Sequence, residues 1–471
     1  MRIEVILLTA VLIISSRLLL RESWYPWALF VFSLIAIYWF QPLSPIRLLD
    51  FWLPSVMLLL TILSWSLLFH QKKKENTITF GFIFGFLVII ALGKLFGTNL
   101  MNPIVSTPGF PGLAVTAILL VFVSLASTLP QKIRDLTIIG IIGFILFIFI
   151  VLKSSTLGIL ASQGLRRINE QLVTLASPND IAWAGYSYFS FRLLHTVIDR
   201  KRIAISDLTL REYFTYLVFF PAFIAGPIDR VESFTRQLRS SFSRFDQVDL
   251  MYGLLRIGKG ILLKFILADS LGLFSLNSQS VGQIQHPIWA WIIVYSYAFR
   301  IFFDFAGYTD IAIGLGKLAG IQLSENFSQP YLSRNVTLFW NHWHITLTQW
   351  FRTYYFNPVT RYLRSNFNQI KPWVIIFFTQ VTTMLLIGLW HGISWNFVLW
   401  GLWNGIGLFI HNRWSTLVIP RSEKLRKFSM NTSGNIFSVV LTFNFIALGW
   451  VWFALPTTSD SIKVFRMLAG L

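Results

Sequence analysis

The sequence contains no cysteine. That excludes disulfides, a thiol nucleophile, cysteine-ligated zinc and iron–sulfur clusters. Charge is also scarce: 13% of the 471 residues are Asp, Glu, Lys or Arg, against about 25% in soluble domains. Acidic residues are the scarcer kind, 20 against 39 Lys and Arg, for a formal net charge of +19. There is no internal repeat, no long disordered linker, and no series of short alternating strands of the sort a membrane barrel requires. What is present is apolar, 55% hydrophobic with a mean hydropathy of +0.63. Apolar runs of about 17–20 residues recur from residues 5–20 to residues 435–454, long enough to cross a hydrocarbon core about 30 Å thick. The fold class is therefore all-α, a polytopic membrane protein of roughly 11–13 membrane segments. The expected location is the cell (inner or plasma) membrane, with membrane lipid as a constant partner.

The surplus of positive charge needs no nucleic acid. Basic residues cluster in short loops, at Lys72–Lys74, Arg200–Arg202, Arg236–Arg244 and Arg421–Lys427, as the positive-inside rule places them. By that rule the Lys72–Lys74 loop is cytoplasmic and the charge-free loop GTNLMNPIVSTPGFPG (97–112) lies outside. Lys132, Arg134 and the Arg200–Arg202 cluster return inside. Residues 153–180 then lie outside despite Arg166 and Arg167, and so does the amino terminus. The opening MRIEVILLTAVLIISSRLLL has no small-residue cleavage site after its apolar run, so it reads as a retained helix rather than a signal peptide.

Three regions differ in texture. Residues 1–178 are mostly featureless apolar helices. Between 179 and 412, polar and charged residues stand inside apolar segments, where each costs about 2.5–3.5 kcal/mol unless it faces a cavity. Residues 413–471 form a C-terminal loop and a final membrane helix. Function is expected in the middle region.

Several near-motifs fail. GLLRIGKG (Gly253–Gly260) has glycine where a phosphate-binding loop needs Ser or Thr, and no strand precedes it. GLGKLAG (Gly314–Gly320) has the wrong glycine spacing for a dinucleotide site. Gly316 and Gly320 read instead as small residues that let helices approach closely. HTVID sets His195 and Asp199 four apart, as in some soluble acyltransferases, but a polar pair at a helix end beside Arg200 accounts for it equally well. His342 and His344 are two apart, about 200° around a helix, and no HExxH follows, so no metal site is expected.

The stretch FWNHWHITLTQWFRTYY (Phe339–Tyr355) projects as one amphipathic helix. Asn341, Thr348, Arg352 and Tyr355 fall on the His344 face. Phe339, Trp340, Trp343, Leu347 and Trp350 fill the adjoining arc, and His342 lies on a third side. Two readings stand: an interfacial helix with tryptophans at headgroup level, or a helix whose His344 face lines an internal cavity. The segment MLLIGLWHGISWNFVLWG (Met384–Gly401) favours the cavity. It holds His391 between two apolar runs, after Trp390 and before Gly392. Burial favours a neutral imidazole, the form that accepts a proton from a hydroxyl; a structural hydrogen bond is the competing role.

FFDFAGYTDIAIGLGKLAG, SENFSQPYLSRNVTLFWNHWHITLTQWFR, LLIGLWHGISWNFVLWG and FFPAFIAGPIDR (Phe219–Arg230) together resemble the membrane-bound O-acyltransferase (MBOAT) family, over about residues 179–412. The likeness is to its bacterial branch, which serves alginate O-acetylation and D-alanylation of lipoteichoic acid. The resemblance implies an MBOAT-like core with re-entrant and amphipathic helices. It places the family's invariant histidine at His391 and its upstream histidine at His344, along a passage from a cytoplasmic acyl thioester to an outside acceptor. Asn341, Thr348, Arg352, Trp390 and Asp304 are the supporting candidates; Asn341, Arg352 or His344 could serve the oxyanion.

The implied reaction is acyl transfer, acetyl first, to a hydroxyl of an extracytoplasmic polysaccharide or cell-wall polymer. No bound cofactor is expected. The donor, acetyl-CoA or an acyl-phosphopantetheine carrier, is a substrate. A cytoplasmic carrier protein or an exported acetyltransferase are the candidate partners. With no cysteine and no G-x-S-x-G elbow, direct transfer is expected over a covalent acyl-enzyme. D-alanyl transfer to teichoic acid is the alternative within the class. A polymer or lipid-linked sugar transporter and a scaffold subunit are the alternatives outside it. The first would need broken helices in paired repeats, and the second has no use for a desolvated base.

Overall fold

The computed structural model describes residues 2–69, 74–92, 109–203, 207–242, 246–283 and 286–471. Lys72, Lys73, Arg244 and most of the predicted outside loop 97–112 lie outside the described residues. Among those described the chain is helical throughout, with one isolated antiparallel bridge between Phe327 and Trp343 and no strand. Six helices are long and apolar enough to cross a membrane: Leu49–Leu68, Pro111–Thr128, Gln131–Lys153, Pro287–Leu318, Pro372–His391 and Thr432–Ala454. A further apolar helix, Tyr25–Trp39, is shorter. Several other apolar segments of the sequence are realised as short or interrupted helices, whereas the 393–411 run forms the continuous helix Trp395–Arg413. The 212–226 run, for example, becomes the helix Leu210–Leu217 and a single 3₁₀ turn at Phe220–Ala222.

The long helices carry their apolar side chains outward. Leu136, Ile139 and Phe147 of Gln131–Lys153 are 67%, 65% and 59% exposed, and Phe122 of the preceding helix is 75% exposed. Water would penalise such a surface at about 25 cal/mol per Å², whereas lipid tails accept it. The architecture is that of an all-α polytopic membrane protein.

Two compact units make up the chain. The first comprises Met1–Ile257 and Ile311–Leu323. Its interior is organised by buried cations that answer backbone carbonyls. Arg192, 2% exposed, donates to the carbonyls of Tyr216, Leu217, Ala222 and Pro227 at 2.9–3.4 Å. The end of Leu210–Leu217 and the non-helical path of FFPAFIAGPIDR leave carbonyls short of intrahelical donors, and one guanidinium reaches two from each. Arg17 donates to the Tyr25 hydroxyl at 3.0 Å and to the Ser241 carbonyl, and Tyr25 donates on to the carbonyl of Ala319 at 3.1 Å. Asp180 accepts from Ser162, from Arg166 and from the backbone N–H of Ser177.

Glycine placement in this unit departs from expectation at Gly316 but not at Gly320, where a Cβ would stand 2.3 Å from the Ser241 carbonyl oxygen. A Cβ on Gly314 would stand 2.7 Å from the carbonyl oxygen of Gly253, and one on Gly253 would stand 3.1 Å from that of Gly314, so these two glycines form the close helix crossing. Gly316 instead meets the chain that follows it, at Ile321 and Leu323. Gly320, with φ 78°, ends the helix, and the Ile321 N–H returns to the Gly316 carbonyl at 2.8 Å. This is the usual use of a left-handed glycine after a helix.

The second unit comprises Gly258–Asp310 and Ser324–Leu471. Its centre is a pair of antiparallel helices, Pro372–His391 and Trp395–Arg413, joined by a three-residue turn. Glycines let them approach: Cβ atoms on Gly388, Gly401 and Gly405 would lie 2.4, 2.8 and 2.7 Å from backbone atoms of the opposing helix. The final span, Thr432–Ala454, packs aromatic rings against this pair, with Trp450 stacked on Trp400 at 6.0 Å and Phe445 on Trp403 at 5.1 Å.

Candidate active site

The predicted single helix over 339–355 is not formed. A helix runs Val336–His342, the chain breaks at Trp343 and His344, and a second helix runs Ile345–Phe351. His344 takes the left-handed conformation, φ 43° and ψ 54°, which costs a non-glycine residue about 1–2 kcal/mol. The compensation is tertiary. The Asn326 side-chain oxygen accepts from the Thr346 backbone N–H at 3.1 Å, from the Thr346 hydroxyl at 2.9 Å and from His344 Nδ1 at 3.2 Å. The Ile345 N–H reaches the Asn326 carbonyl at 3.0 Å, and the Ser328 N–H reaches that of His342 at 3.1 Å. A helical projection across this break has no meaning. His342 turns to Ser333, its Nδ1 3.1 Å from the hydroxyl.

This clamp also sets the tautomer of His344. A backbone N–H can only donate, so the Asn326 atom facing Thr346 is its oxygen. The same oxygen then accepts from His344, which puts the imidazole proton on Nδ1 and the lone pair on Nε2. His344 is 3% exposed, and burial pushes its imidazole down to about 3, so the ring is neutral.

His344 and His391 come together. Both line a cavity of about 250 Å³ with Asp304, Phe305, Trp340, Thr348 and Trp400 among its walls. Trp390 bridges them, its ring centroid 6.3 Å from the His344 ring and 4.4 Å from that of His391. His391 ends its helix in an aromatic box, stacked on Phe397 at 6.0 Å with Phe453 edge-on at 4.7 Å. Gly392 is extended, and a Cβ there would strike the Phe397 ring at 2.6 Å, so glycine is what lets that ring stack on the imidazole. Phe305 meets the His344 ring edge-on at 4.7 Å.

The other supporting candidates divide. Asn341 and Arg352 bond each other at 2.6 Å and line a second cavity, of about 110 Å³, with Gln380, Thr383 and Met384. They do not line the histidine cavity, so their predicted placement on the His344 face is corrected. Thr348, Trp340 and Ile387 line both cavities and form the wall between them. Arg352 opens a π-helical turn, Arg352–Phe356, a local widening frequent at functional sites. Asp304 lines the histidine cavity and is ion-paired to Lys264. Trp340 and Trp343 are 6% and 4% exposed, which makes them cavity wall rather than interfacial anchors. Trp340 carries a feature that the linear pattern gives no hint of: its buried indole N–H has no hydrogen-bond acceptor among the described residues. Asn326, by contrast, lies within the ENFSQPY motif, but its tie to a residue 18 positions on is visible only in three dimensions.

The His195–Asp199 pair is structural. The Val231 N–H donates to His195 Nε2 at 3.3 Å, Nδ1 lies 3.4 Å from Asp199, and Asp199 is bound by Arg230 at 2.8 Å. With Nε2 already accepting from backbone, this imidazole has no lone pair to offer a substrate.

The fold and the site define a polytopic all-α membrane protein with two imidazoles, His344 buried and His391 half-buried, on one aromatic cavity. The membrane-bound O-acyltransferase family, MBOAT, matches residues 113–448, and the chain belongs to it. The match extends beyond residues 179–412 in both directions. Among curated relatives, a peptidoglycan O-acetyltransferase of Helicobacter pylori is 33% identical over 55% of this chain and 47% of its own. A teichoic acid D-alanyltransferase of Streptococcus thermophilus is 31% identical over 57% of this chain and 68% of its own. A protein named "Probable alginate O-acetylase" from Azotobacter vinelandii is 30% identical over 57% of this chain and 50% of its own. The chain thus spans about half the length of the first and third of these relatives.

Proposed function

We propose that this chain is an O-acyltransferase that carries an acyl group, acetyl in the first instance, from a cytoplasmic thioester to a hydroxyl of an extracytoplasmic glycan or cell-wall polymer. The observation that carries the proposal is the convergence of His344 and His391 on one cavity of about 250 Å³ walled by aromatic rings. The names of the relatives support acyl transfer to such polymers. The donor is acetyl-CoA or an acyl-phosphopantetheine carrier protein. An exported acetyltransferase is the candidate partner on the far side of the cell membrane.

In this reading His391 is the general base. It takes the proton of the acceptor hydroxyl as the oxygen attacks the thioester carbonyl carbon. The tetrahedral intermediate collapses with cleavage of the C–S bond, and the departing thiolate recovers the proton. His344, neutral with its lone pair on Nε2, orients the acceptor hydroxyl or relays its proton. The developing oxyanion needs a donor, and Trp340 supplies one: its indole N–H has no acceptor among the described residues, while Asn341 and Arg352 line the separate cavity. With no cysteine and no G-x-S-x-G elbow, direct transfer in one active site is favoured over a covalent acyl-enzyme.

The test is to make His391→Ala and His391→Gln, match membrane abundance, and measure alkali-labile acyl groups on the cell's polymers. Loss in both variants is expected; unchanged acylation removes His391 from catalysis. D-alanyl transfer is the second reading, favoured by the coverage of the D-alanyltransferase relative, 68% of its length. The released acyl group, acetate or D-alanine, decides between the two.

A further inference from the structure

A third and larger cavity in the same unit, of about 580 Å³, is lined by neither histidine of the proposed site. Its walls are the start of Val336–His342, the end of Trp395–Arg413 and the start of Thr432–Ala454. The Thr337 hydroxyl, 3.0 Å from His411 Nδ1, joins its wall to that of the Arg352 cavity.

The lining is graded. Along the final span it is contributed by Asn435, Ser438, Leu441 and Phe445, one face of the helix turn by turn. The order runs from the polar Asn435 and Ser438 to Leu441 and Phe445 over about 15 Å at 1.5 Å per residue, and Thr442, which also lines the cavity, spends its hydroxyl on the Ser438 carbonyl at 2.8 Å. The opposing helix shows the same gradient in reverse chain order, with Ser415 and His411 near its end and Ile410 and Gly407 further in. A Cβ on Gly407 would strike the Phe445 ring at 2.2 Å, so the apolar end is closed by direct packing.

Two observations specify what the polar end requires. Arg334 lines the cavity, is exposed, and has no ion pair or hydrogen bond among the described residues. The buried end of the Asn435 amide also has no hydrogen-bond partner. An anionic group would answer the guanidinium, and a neighbouring hydroxyl would answer the amide. The chain between the two helices, residues 414–431, adds Arg421, Lys424, Arg426 and Lys427 against the single acid Glu423. Such a basic segment beside a membrane span belongs at the cytoplasmic leaflet, whose anionic lipids attract it.

We infer that this cavity is a binding site for an anionic glycerophospholipid of the cytoplasmic leaflet. The phosphate sits at Arg334, a headgroup hydroxyl at Asn435, and an acyl chain lies along Leu441 and Phe445. The inference does not depend on the acyl-transfer reading, because no residue of the histidine cavity takes part.

The test titrates the purified full-length protein, in detergent, with dioleoyl phosphatidylglycerol and dioleoyl phosphatidylcholine, and follows bound lipid by native mass spectrometry. Free glycerol 3-phosphate and coenzyme A serve as soluble phosphate competitors. Phosphatidylglycerol should bind more tightly, and Arg334→Gln should weaken it about fivefold, as expected for one cation at a lipid surface. Ser438→Trp, which fills the groove, should abolish the preference; both substituted side chains lie at the cavity, so folding of each variant is checked by an unchanged elution profile. Equal binding of the two lipids overturns the anionic assignment. Displacement by either soluble competitor at matched concentration overturns the lipid assignment, and so does full retention of binding in Arg334→Gln.

Discussion

Replacing Gly388 with alanine adds one methyl group and removes no functional atom. That methyl would sit 2.4 Å from the carbonyl oxygen of Phe397, where ordinary contact begins near 3.4 Å. The obstacle is backbone on the facing helix, so it cannot rotate away, and the two helices must part by about 1 Å. His391 is three residues further along the same helix, and Phe397 is the residue that stacks on its imidazole. The substitution therefore moves the proposed base and its platform apart. Overpacking of this kind costs about 1–3 kcal/mol, offset by about 1 kcal/mol from the better helix propensity of alanine. Stability should change little, whereas a 1 Å misplacement at a reacting centre costs about 100-fold in rate. The assay is polymer-linked acyl ester per unit of membrane-embedded protein, with thermal unfolding in detergent alongside. Gly140→Ala is the control, since nothing lies within 4 Å of the added methyl there. Near-normal acylation by Gly388→Ala, or a loss matched by an equal loss of folded protein, would refute the claim that this helix contact positions His391.

Further outcomes test the rest of the site. His344→Asn keeps a donor near the Nδ1 position and a residue that tolerates the left-handed conformation; it should fold normally yet lose most transfer, whereas His344→Ala should also reduce thermal stability. A larger loss for His342→Ala than for His344→Ala would reverse the assignment of the two histidines. Trp340→Phe keeps the ring and removes the N–H; turnover should fall about 100- to 1,000-fold, with the melting temperature unchanged or raised because an unpartnered donor is gone. In the first unit, burial by itself would raise the Asp180 carboxyl, but hydrogen bonds from Ser162, Arg166 and the Ser177 N–H, with the Arg166 charge, outweigh it and hold the group below its ordinary value. Its stabilisation is complete above the unfolded value of about 3.9 and is lost as pH falls through the depressed one. Asp180→Asn should therefore melt earlier at pH 7, and the gap should close only below about pH 4; a gap that closes between pH 6 and 5 would assign the effect elsewhere.

What could be read from the sequence, and what could not, divides by the distance over which each feature is determined. Membrane-spanning helices follow from local composition, and six of them stand where apolar runs predicted them. The pairing of His344 with His391 was legible through motifs that mark each separately. The conformation of the first was not. FWNHWHITLTQWF contains neither glycine nor proline, and nothing local tells the helix to stop. The break is imposed by Asn326, whose one side-chain oxygen holds His344 and Thr346 together. A periodicity argument assumes an unbroken helix, so it placed Asn341 and Arg352 beside His344 when the break sends them to a separate cavity. The glycines follow the same logic. Which of several glycines lies at a close approach depends on the partner segment, so Gly253 and Gly314 form a crossing and Gly316 does not, while Gly320 meets the Ser241 backbone.

The break gives His344 properties that a continuous helix would deny it. Within a helix its neighbours would be the residues three and four positions away, and its tautomer would be set by whatever solvent or lipid it met. At the break, Nδ1 is committed to Asn326 and the ring is buried against Phe305 and Trp390. A neutral imidazole with a defined lone pair is thereby held beside His391, its tautomer set by the uncharged Asn326 amide. That suits a cavity inside a membrane, where an ion pair used for positioning would itself carry a desolvation cost of several kcal/mol per ion. The strained backbone at His344 is the smaller cost, and Asn326 is the residue on which the arrangement depends.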